Sequence, residues 1–422
     1  MIINLEYGAA LCFKRIKNIF PNSYLAEDNK QIIIGIDAVY FDSEKYSYED
    51  LRKYTGSQKG TADFAGLFGV FSYEIIHYFE EINKKENSEY YYPEFVFADA
   101  GAYIHFDKKS SVFSFFGDTK KYSDLLLCLK EDIIPRKSAH NKSFTILGNE
   151  SEKKDIFLKN VNKAKEYIRS GDIFQIVLSS QIIIESDFDP YDFYMELAEK
   201  NPSPYMFYFP SPYGTVIGSS PEILLKIENN EIFTAPIAGT RPRGQNPEED
   251  QILARELLND DKELAEHRML IDLARNDIGK FSTPGSVKVK NPMHIEYFQH
   301  VMHIASDVCG ELTEGTDIFD VLSTAFPAGT LSGAPKIRAM EIIAELEQRK
   351  RNIYGGGIGF LHYNGNSQIA IIIRTAFYKD KKYYIQSGAG IVYDSDPEKE
   401  YQEILNKRKS LTAILSRSQP SE

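Results

Sequence analysis

Tryptophan is absent from the 422-residue sequence, and cysteine occurs only three times. Cys12, Cys128 and Cys309 lie far apart, without a Cys-x-x-Cys pair, and their odd number excludes a complete disulfide framework. No group of histidines and cysteines has the spacing of a zinc site. We therefore expect a cytoplasmic protein whose cysteines are buried apolar thiols.

Long apolar runs are also absent. No uninterrupted apolar stretch approaches the roughly 18 residues needed to cross a bilayer. Residues 1–6 carry no basic region ahead of an apolar segment, as a secretory signal would. We expect neither export nor membrane insertion.

Basic charge is in the minority, with 49 Lys plus Arg against 61 Asp plus Glu and a net charge of −12. Nucleic acids and anionic membranes are bound by basic surfaces, so the composition disfavours both kinds of partner. An anionic small molecule would also be repelled unless a local cation or metal reversed the field.

The distribution of apolar residues predicts a mixed α/β protein in two parts. Strand-like runs separated by polar turns lie at residues 31–36, 95–98 and 112–116. A polar, turn-rich stretch at residues 135–154 is the predicted boundary. It separates a sheet-rich N-terminal domain, residues 1–145, from a larger domain, residues 150–416.

The larger part is predicted to open with a helix and a strand. Apolar residues beginning with Ile156 recur at helical spacing over residues 152–169, and Gly171 follows as a C-terminal cap. Residues 174–184 are rich in β-branched side chains and long enough to cross a sheet.

Glycine, proline and arginine residues are concentrated at residues 233–244, whose sequence is Phe-Thr-Ala-Pro-Ile-Ala-Gly-Thr-Arg-Pro-Arg-Gly. This stretch indicates a ligand site, because Gly239 allows close backbone approach and Arg241 and Arg243 suit carboxylates. A β-turn with solvated arginines is the alternative.

Two Glu-x-x-Glu pairs lie in predicted helices. Residues 250–273, with no Gly or Pro, carry Glu263 and Glu266, and a helix ending near residue 415 carries Glu400 and Glu403. Surface helices often contain such pairs despite a cost of a few tenths of a kcal/mol. If the helices face each other, four carboxylates meet and need a cation, and all-oxygen ligation with room for waters suits Mg²⁺.

Further motifs accompany these pairs along residues 152–415. They are Gly-Asp-Ile-Phe-Gln at 171–175, Ser-Pro-Glu at 220–222, Pro-Ile-Ala-Gly-Thr-Arg-Pro-Arg at 236–243, Ala-Glu-His at 265–267, Asp-Leu-Ala-Arg-Asn-Asp at 272–277, Phe-Pro-Ala-Gly-Thr at 326–330 and Gly-Ala-Gly at 388–390. In this order they resemble the large subunit of anthranilate synthase, within the chorismate-utilising enzyme family. The resemblance implies a two-lobed mixed α/β fold of stacked, antiparallel-rich sheets flanked by helices.

The resemblance also implies a substrate, chorismate, and a cofactor, Mg²⁺. Glu266 and Glu403 would bind the metal directly, and Glu263 and Glu400 would hold its waters. The metal would bridge to the ring carboxylate of chorismate, which resolves the repulsion by an acidic protein.

The positions implied to bind substrate are Gly239, Thr240, Tyr354, Arg374, Gly388, Ala389, Gly390 and Lys407. Tyr354 and Arg374 match those that hold the enolpyruvyl group, and Lys407 matches one beside the ring carboxylate. For Arg374, in an otherwise apolar strand, a buried structural ion pair is the alternative.

Three implied catalytic residues surround the leaving C4 hydroxyl, which must be protonated as it departs. Glu222 matches the general acid, a role suited to a desolvated carboxyl with a raised pKa. His303 and Thr330 match positions near the hydroxyl or the ring. Without the resemblance, Glu222 would be interpreted as a carboxylate in a surface turn, and His303 as a core residue whose hydrogen bonds are satisfied within the protein.

Gln175 and Ala238 indicate which reaction the chain performs. Relatives that add water carry a lysine base where Gln175 stands; an amide cannot deprotonate water but can orient ammonia. Typical 4-amino-4-deoxychorismate synthases carry a nucleophilic lysine where Ala238 stands, so ammonia is expected to attack C2 directly. Anthranilate and pyruvate are the expected products. Component I of 4-amino-4-deoxychorismate synthase and 2-amino-2-deoxyisochorismate synthase are the alternatives.

The ammonia source is predicted to be a separate glutamine amidotransferase subunit. A glutamine-hydrolysing domain needs an activated cysteine in a Gly-rich elbow, and none of the three cysteines has that setting.

The family also implies tryptophan as a feedback inhibitor. The candidate residues are Glu27, Asp28, Asn201, Pro202, Ser203, Pro204, Tyr205 and Met206. Leu-Ala-Glu-Asp at 25–28 departs from the usual Leu-Leu-Glu-Ser, which puts inhibitor affinity in doubt, and the prolines would otherwise form a rigid turn. A catalytically silent amino-acid-binding regulator is the alternative from another class, against which the complete carboxylate set argues.

Overall fold

The structure is a computed structural model that describes residues 1–5, 7–60, 62–131 and 143–416. The predicted boundary at 135–154 falls partly on residues outside these ranges, so the division into two domains stays a prediction. Among the described helices, none combines the length and the apolar character needed to span a bilayer.

The sheets are built from short and long strands along the whole chain. The strands are β1 (Ile2–Ile3), β2 (Tyr24–Glu27), β3 (Gln31–Asp42), β4 (Gly66–Phe71), β5 (Phe95–Asp107), β6 (Val112–Phe116), β7 (Thr145–Leu147), β8 (Gln175–Glu185), β9 (Tyr205–Ser211), β10 (Gly214–Ser220), β11 (Ile223–Glu228), β12 (Glu231–Thr234), β13 (Ile237–Pro242), β14 (Lys288–Val289), β15 (His294–Tyr297), β16 (Val301–Ala305), β17 (Val308–Glu311), β18 (Gly333–Ala334), β19 (Gly357–His362), β20 (Ser367–Ile371), β21 (Thr375–Lys379) and β22 (Lys382–Ile391).

Helices flank the sheets. The α-helices are α1 (Ala9–Ile19), α2 (Tyr48–Ser57), α3 (Ser123–Cys128), α4 (Glu150–Arg169), α5 (Pro190–Lys200), α6 (Pro247–Leu258), α7 (Asp261–Gly279), α8 (Ile318–Ala325), α9 (Lys336–Glu347) and α10 (Pro397–Ser416), with 3-10 helices at Tyr73–Tyr78 and Gly329–Leu331.

One large sheet of 19 strands organises the molecule, and every pairing among its described strands is antiparallel. The strands β2, β3, β5 and β4 of the N-terminal part lie between β9 and β19 of the C-terminal part. A second sheet of three strands contains β13, β16 and β15. The predicted mixed α/β class, with antiparallel-rich sheets flanked by helices, is confirmed.

Aromatic side chains fill the interior where the large sheet curls. Tyr24, Phe68, Phe209, Phe360 and Phe377 pack in one buried cluster contributed by five strands. Gly35 is required beside it, because a Cβ atom there would lie 2.2 Å from Cζ of Tyr24. Burying such apolar side chains stabilises the fold by about 1.5–3 kcal/mol each.

Two details of the predicted helices are wrong. Residues 250–273 form two helices, because the Asp260 carboxylate accepts hydrogen bonds from the backbone N–H groups of Lys262 and Glu263 and starts a new helix. This local cap outweighs the helix propensity of the stretch. On α4, Ile156 is 51% exposed, and Phe157 faces the core in its place.

Candidate active site

A cavity of about 580 Å³ lies between the large sheet, the three-stranded sheet and the helices α7 and α10. It brings together most of the residues singled out in the sequence. Those that line it are Gln175, Glu222, Gly239, Thr240, Glu263, Glu266, His303, Thr330, Tyr354, Arg374, Gly388, Gly390, Glu400, Glu403 and Lys407. Ala389 lies instead in the core with Ile176 and Ile404, because successive strand residues face opposite sides.

The two glutamate pairs enter this cavity from facing helices. Burial raises the pKa of Glu266, and the nearby carboxylate of Glu403 raises it further. The pKa of Glu263 and of Glu400 is also raised, first by burial and then by the other glutamate of the same pair. Two contacts offset the repulsion: Gln175 Nε2 donates to Glu266 Oε1 at 2.9 Å, and Lys407 Nζ lies 2.6 Å from Glu403 Oε1.

The carboxylates of the cavity are oxygen donors of the kind that Mg²⁺ prefers. Within the described ranges, no three His, Cys, Asp or Glu side chains are arranged closely enough to hold a metal ion. Mg²⁺ in enzymes is commonly held by only one or two carboxylates together with waters and substrate oxygens. The mutually repelling Glu266 and Glu403 supply such a pair, and a divalent cation would relieve the repulsion that raises the pKa of Glu266.

Glu222 lies in the short connection between β10 and β11, where only 5% of the residue is exposed. The Thr330 hydroxyl donates to its Oε1 at 2.8 Å. Burial raises the pKa of Glu222 to about 8, although the Thr330 hydrogen bond and the charge of Lys407 oppose the rise. The carboxyl is therefore mostly protonated at neutral pH and can donate a proton.

His303, on β16, is a neutral imidazole with a defined tautomer. Its pKa is lowered by burial and by the positive charges of Arg374 and Lys407. Nδ1 lies 2.6 Å from the carbonyl oxygen of Gly239, so Nδ1 carries the hydrogen and Nε2 is an acceptor. Gly239 has φ +63°, and a Cβ atom there would approach Leu257 Cδ1 to 2.9 Å. Only glycine meets both conditions without strain.

Two cations, Arg374 and Lys407, line the same cavity. Arg374 stands between β20 and β21 with φ +51°, rather than within an apolar strand as predicted, and it donates from Nη1 to the carbonyl of Lys407 at 3.1 Å. Lys407 Nζ donates to the carbonyl of Gly388 at 2.9 Å. A Cβ atom at Gly388 would lie 2.5 Å from the hydroxyl of Tyr354, so this glycine makes room for the tyrosine.

Gln175 has one satisfied and one unsatisfied end. The residue is only 4% exposed, and its Nε2 is bound to Glu266. Oε1 is buried and finds no hydrogen-bond partner within the described part of the chain. A buried acceptor left unpaired costs about 1–3 kcal/mol, so this oxygen suits a ligand that donates a hydrogen bond. Ala238 lines the same cavity.

The two arginines of the stretch 233–244 do not line the cavity. Arg241 pairs with Glu256 at 3.1 Å and Asp260 at 3.0 Å, and Arg243 binds Asp250. Their partners are therefore carboxylates of the protein itself, and the expectation that they meet a ligand carboxylate is wrong.

A separate cavity of about 50 Å³ is lined by Glu27, Asp28, Tyr205 and Met206. Glu27 and Met206 are register partners of β2 and β9, which explains how segments distant in sequence meet here. Lys108 Nζ lies 2.6 Å from Glu27 Oε1.

The remaining candidate residues, Asn201, Pro202, Ser203 and Pro204, lie outside this cavity's lining. The carbonyl of Asn201 accepts a hydrogen bond from the Ser219 hydroxyl at 2.5 Å. The backbone N–H of Ser219 in turn donates to the carbonyl of Arg374 at 3.2 Å.

Lys262, Gln386 and Asn406 also line the larger cavity, and the sequence analysis does not predict them. Helical spacing could have identified two of them, because Lys262 lies four residues before Glu266 and Asn406 three residues after Glu403. Gln386 lies two residues before Gly388 and thus on the same strand face.

Comparison with known proteins identifies the family of this chain. Residues 19–413 match the family described as chorismate binding enzyme. Anthranilate synthase component 1 of Acetivibrio thermocellus is 45% identical over 369 residues, covering 83% of this chain and 75% of that protein. The same component of Cereibacter sphaeroides is 53% identical over 251 residues, covering 60% of this chain and 50% of that protein.

Solved structures agree as well. Anthranilate synthase component I from Streptococcus pneumoniae TIGR4 superimposes with a TM-score of 0.80 at 34% identity, covering 98% of this chain and 99% of that one. The menaquinone-specific isochorismate synthase of Escherichia coli shares the fold, with a TM-score of 0.78 at 18% identity over 97% of this chain and 92% of that one. The chain therefore belongs to the chorismate-binding enzyme family.

Proposed function

We propose that this protein converts chorismate and ammonia to anthranilate and pyruvate as the large subunit of an anthranilate synthase. The observation that carries the proposal is the protonated Glu222 carboxyl, which shares one cavity with the unsatisfied oxygen of Gln175. The first provides an acid for a departing hydroxyl, and the second an acceptor for an amine. The relatives at 45% and 53% identity carry the corresponding name.

The acid step uses Glu222. Its proton passes to the C4 oxygen of chorismate while the C4–O bond breaks and water leaves. Thr330 holds Oε1 by the hydrogen bond at 2.8 Å, which orients the carboxyl and stabilises the carboxylate left behind.

The nucleophile in this step is ammonia, which forms the C2–N bond. Gln175 Oε1 would accept a hydrogen bond from it and aim its lone pair at the ring. The methyl group of Ala238 provides no competing nucleophile in the cavity. Elimination of pyruvate from the resulting amine gives the aromatic product, so chorismate plus ammonia yields anthranilate, pyruvate and water.

Substrate would be held by its two carboxylates. Arg374 and Tyr354, which both line the cavity, would bind the enolpyruvyl group. Lys407 and the backbone around Gly388 would contact the ring carboxylate. Mg²⁺, held by Glu266 and Glu403 with Glu263 and Glu400 on its waters, would neutralise that carboxylate and withdraw charge from the ring.

Regulation and assembly complete the proposal. The protein would act in the cytoplasm. Ammonia would come from a separate glutamine amidotransferase subunit, because none of Cys12, Cys128 and Cys309 has the sequence setting of a glutaminase nucleophile.

Tryptophan would inhibit at the small cavity beside Glu27 and Asp28. With only about 50 Å³, room for a few waters, that cavity would have to open, and Lys108 would have to release Glu27.

The test is incubation of the purified chain with chorismate, Mg²⁺ and ammonium at mildly alkaline pH, following anthranilate fluorescence and pyruvate. Turnover is expected with ammonium alone, and with glutamine only after an amidotransferase is added. Glutamine-dependent turnover by the chain alone would contradict the proposed partner. Accumulation of 2-amino-2-deoxyisochorismate without pyruvate would favour an enzyme that stops at the intermediate, and no turnover would favour a silent regulator.

A further inference from the structure

Behind the catalytic cavity lies a buried arginine that does not itself line it. Arg351, four residues after the end of α9, is only 2% exposed. Its Nε and Nη2 donate to the two carboxylate oxygens of Glu347 at 2.8 and 2.7 Å. Replacing such a buried ion pair with apolar residues is often neutral or stabilising, so fold stability alone does not account for it.

The guanidinium also binds two segments of the cavity wall. Nη1 donates to the carbonyl of Leu331 and Nη2 to the carbonyl of Val177, both at 2.7 Å. Leu331 directly follows Thr330, the residue that orients the acid Glu222. Val177 lies two residues beyond Gln175 on β8. One side chain thus fixes the backbone beside the acid and beside the residue assigned to ammonia.

A third part of the wall rests on the same group. The Cζ atom of Arg351 lies 5.6 Å from the ring centroid of Tyr354 and 4.9 Å from that of Tyr73. Both distances are in the range of cation–π attraction. The backbone N–H of Tyr354 also donates to the Arg351 carbonyl at 3.1 Å.

The arginine is itself held from two sides. Glu347 Oε1 accepts hydrogen bonds from the backbone N–H and the hydroxyl of Ser179, at 2.8 and 2.9 Å. Glu74 Oε1 accepts from the backbone N–H groups of Arg351 and Asn352, at 3.0 and 3.2 Å. The position of the guanidinium is therefore overdetermined, as expected of a group that sets the position of others.

We propose that Arg351 is a positioning residue for catalysis, which aligns Thr330, Gln175 and Tyr354 through its bonds to Leu331, Val177 and the tyrosine ring. This inference rests on the proposed function of the cavity. Lysine cannot replace arginine here, because its single nitrogen cannot span two carboxylate oxygens and two carbonyls in one plane.

The decisive variant is Arg351→Lys, with Arg349→Lys as the matched control. Arg349 lies two residues earlier, is exposed, and pairs only with Glu89 among its described salt bridges. Well below its unfolding temperature, Arg351→Lys is expected to lower kcat about 10- to 100-fold, the effect of a reacting group displaced by about 1 Å. KM for chorismate should rise less than kcat falls. Arg349→Lys should match the wild type in both.

The pH profile gives a readout that a purely structural role would not change. The Thr330 hydrogen bond lowers the pKa of Glu222. If Arg351→Lys lets Thr330 move away, that pKa rises, and the alkaline limb of the pH profile of kcat/KM shifts to higher pH. A folded Arg351→Lys protein with wild-type kcat and an unmoved alkaline limb overturns the inference.

A second variant keeps the test decisive if Arg351→Lys does not fold. Glu347→Gln retains the arginine but removes one of the two carboxylate bonds, and it is expected to lower kcat about 3- to 10-fold while folded. Wild-type kcat in Glu347→Gln would then overturn the inference. Failure of the proposed function is a separate result, since the wild type itself would make no anthranilate.

Discussion

The raised pKa of Glu222 predicts how activity and stability depend on pH. Burial raises this pKa from its usual 4.5 to about 8. The carboxyl is then roughly nine-tenths protonated at pH 7 and one-tenth protonated at pH 9. Because the acid must be protonated to act, kcat/KM for chorismate is expected to fall about tenfold for each pH unit above 8, since kcat/KM reports the ionisation of the free enzyme. Initial rates from anthranilate fluorescence, at chorismate well below KM and with free ammonia saturating at each pH, measure it.

Stability should respond with a defined sign. Below pH 4.5 the carboxyl is protonated in both the folded and the unfolded state, so it has no pH-dependent effect there. As the pH rises, the unfolded state loses its proton first, and the free energy of unfolding falls until about pH 8. At about 1.4 kcal/mol per pKa unit, the loss at pH 7 is about 3 kcal/mol relative to an uncharged side chain of the same shape.

Glu222→Gln separates these two effects. The variant is expected to lose kcat by at least about 100-fold, because the amide cannot donate a proton to the leaving oxygen. Its unfolding temperature should exceed that of the wild type at pH 8 and match it near pH 4.5 by calorimetry. Thr330→Val serves as control: loss of its hydrogen bond should move the alkaline limb to higher pH. A flat profile of kcat/KM for chorismate between pH 7 and 9, or a Glu222→Gln protein less stable than wild type at pH 8, would refute the reasoning.

Two further predictions concern the carboxylates and the choice of nucleophile. Glu266→Gln and Glu403→Gln should each lower turnover at least about 100-fold and weaken its dependence on Mg²⁺. The unfolding temperature of each variant should equal or exceed that of the wild type, because like-charge repulsion is relieved. Glu398 is exposed on the same helix as Glu403, and the control variant Glu398→Gln should retain activity. Equal activity in all three variants would mean that the two glutamate pairs are ordinary surface charges. Ala238→Lys should lower anthranilate formation at least about tenfold, since an amine there competes with ammonia, and Gln175→Lys should admit some water addition and yield isochorismate or salicylate. Chromatography of the products decides both, and an unchanged anthranilate yield from Ala238→Lys would mean that this position does not face the substrate.

Local patterns in the sequence predicted much of the secondary structure, and the resemblance in motif order predicted about half of the residues that line the cavity. The strand at residues 112–116 and the helix ending at Arg169 were predicted correctly, because side-chain periodicity and a following glycine are local signals. The motif residues reach one cavity because the strands and connections that carry them lie beside one face of α7 and one face of α10. A resemblance in motif order could therefore identify the family before any distance was known.

Interactions between distant segments decided what the sequence left open. The break before Asp261 follows from capping by Asp260 and from the packing of two separate helices. Arg241 and Arg243 pair with carboxylates of the protein, on α6 and just after it, rather than with a ligand. Arg351 gave no signal as a separate motif, since its partners Val177 and Leu331 are 174 and 20 residues away.

The amino-acid sequence by itself determined which side chains of this protein are available for chemistry: the two glutamate pairs, the acid at 222, and glutamine and alanine in place of two lysines. Only the tertiary structure decided their protonation and alignment. Removal of water by the surrounding core raises the pKa of Glu222 and keeps its proton, and a hydroxyl 108 residues away partly opposes this rise. Desolvation and through-space charge act over distances that have no counterpart along the chain, so no local pattern encodes them.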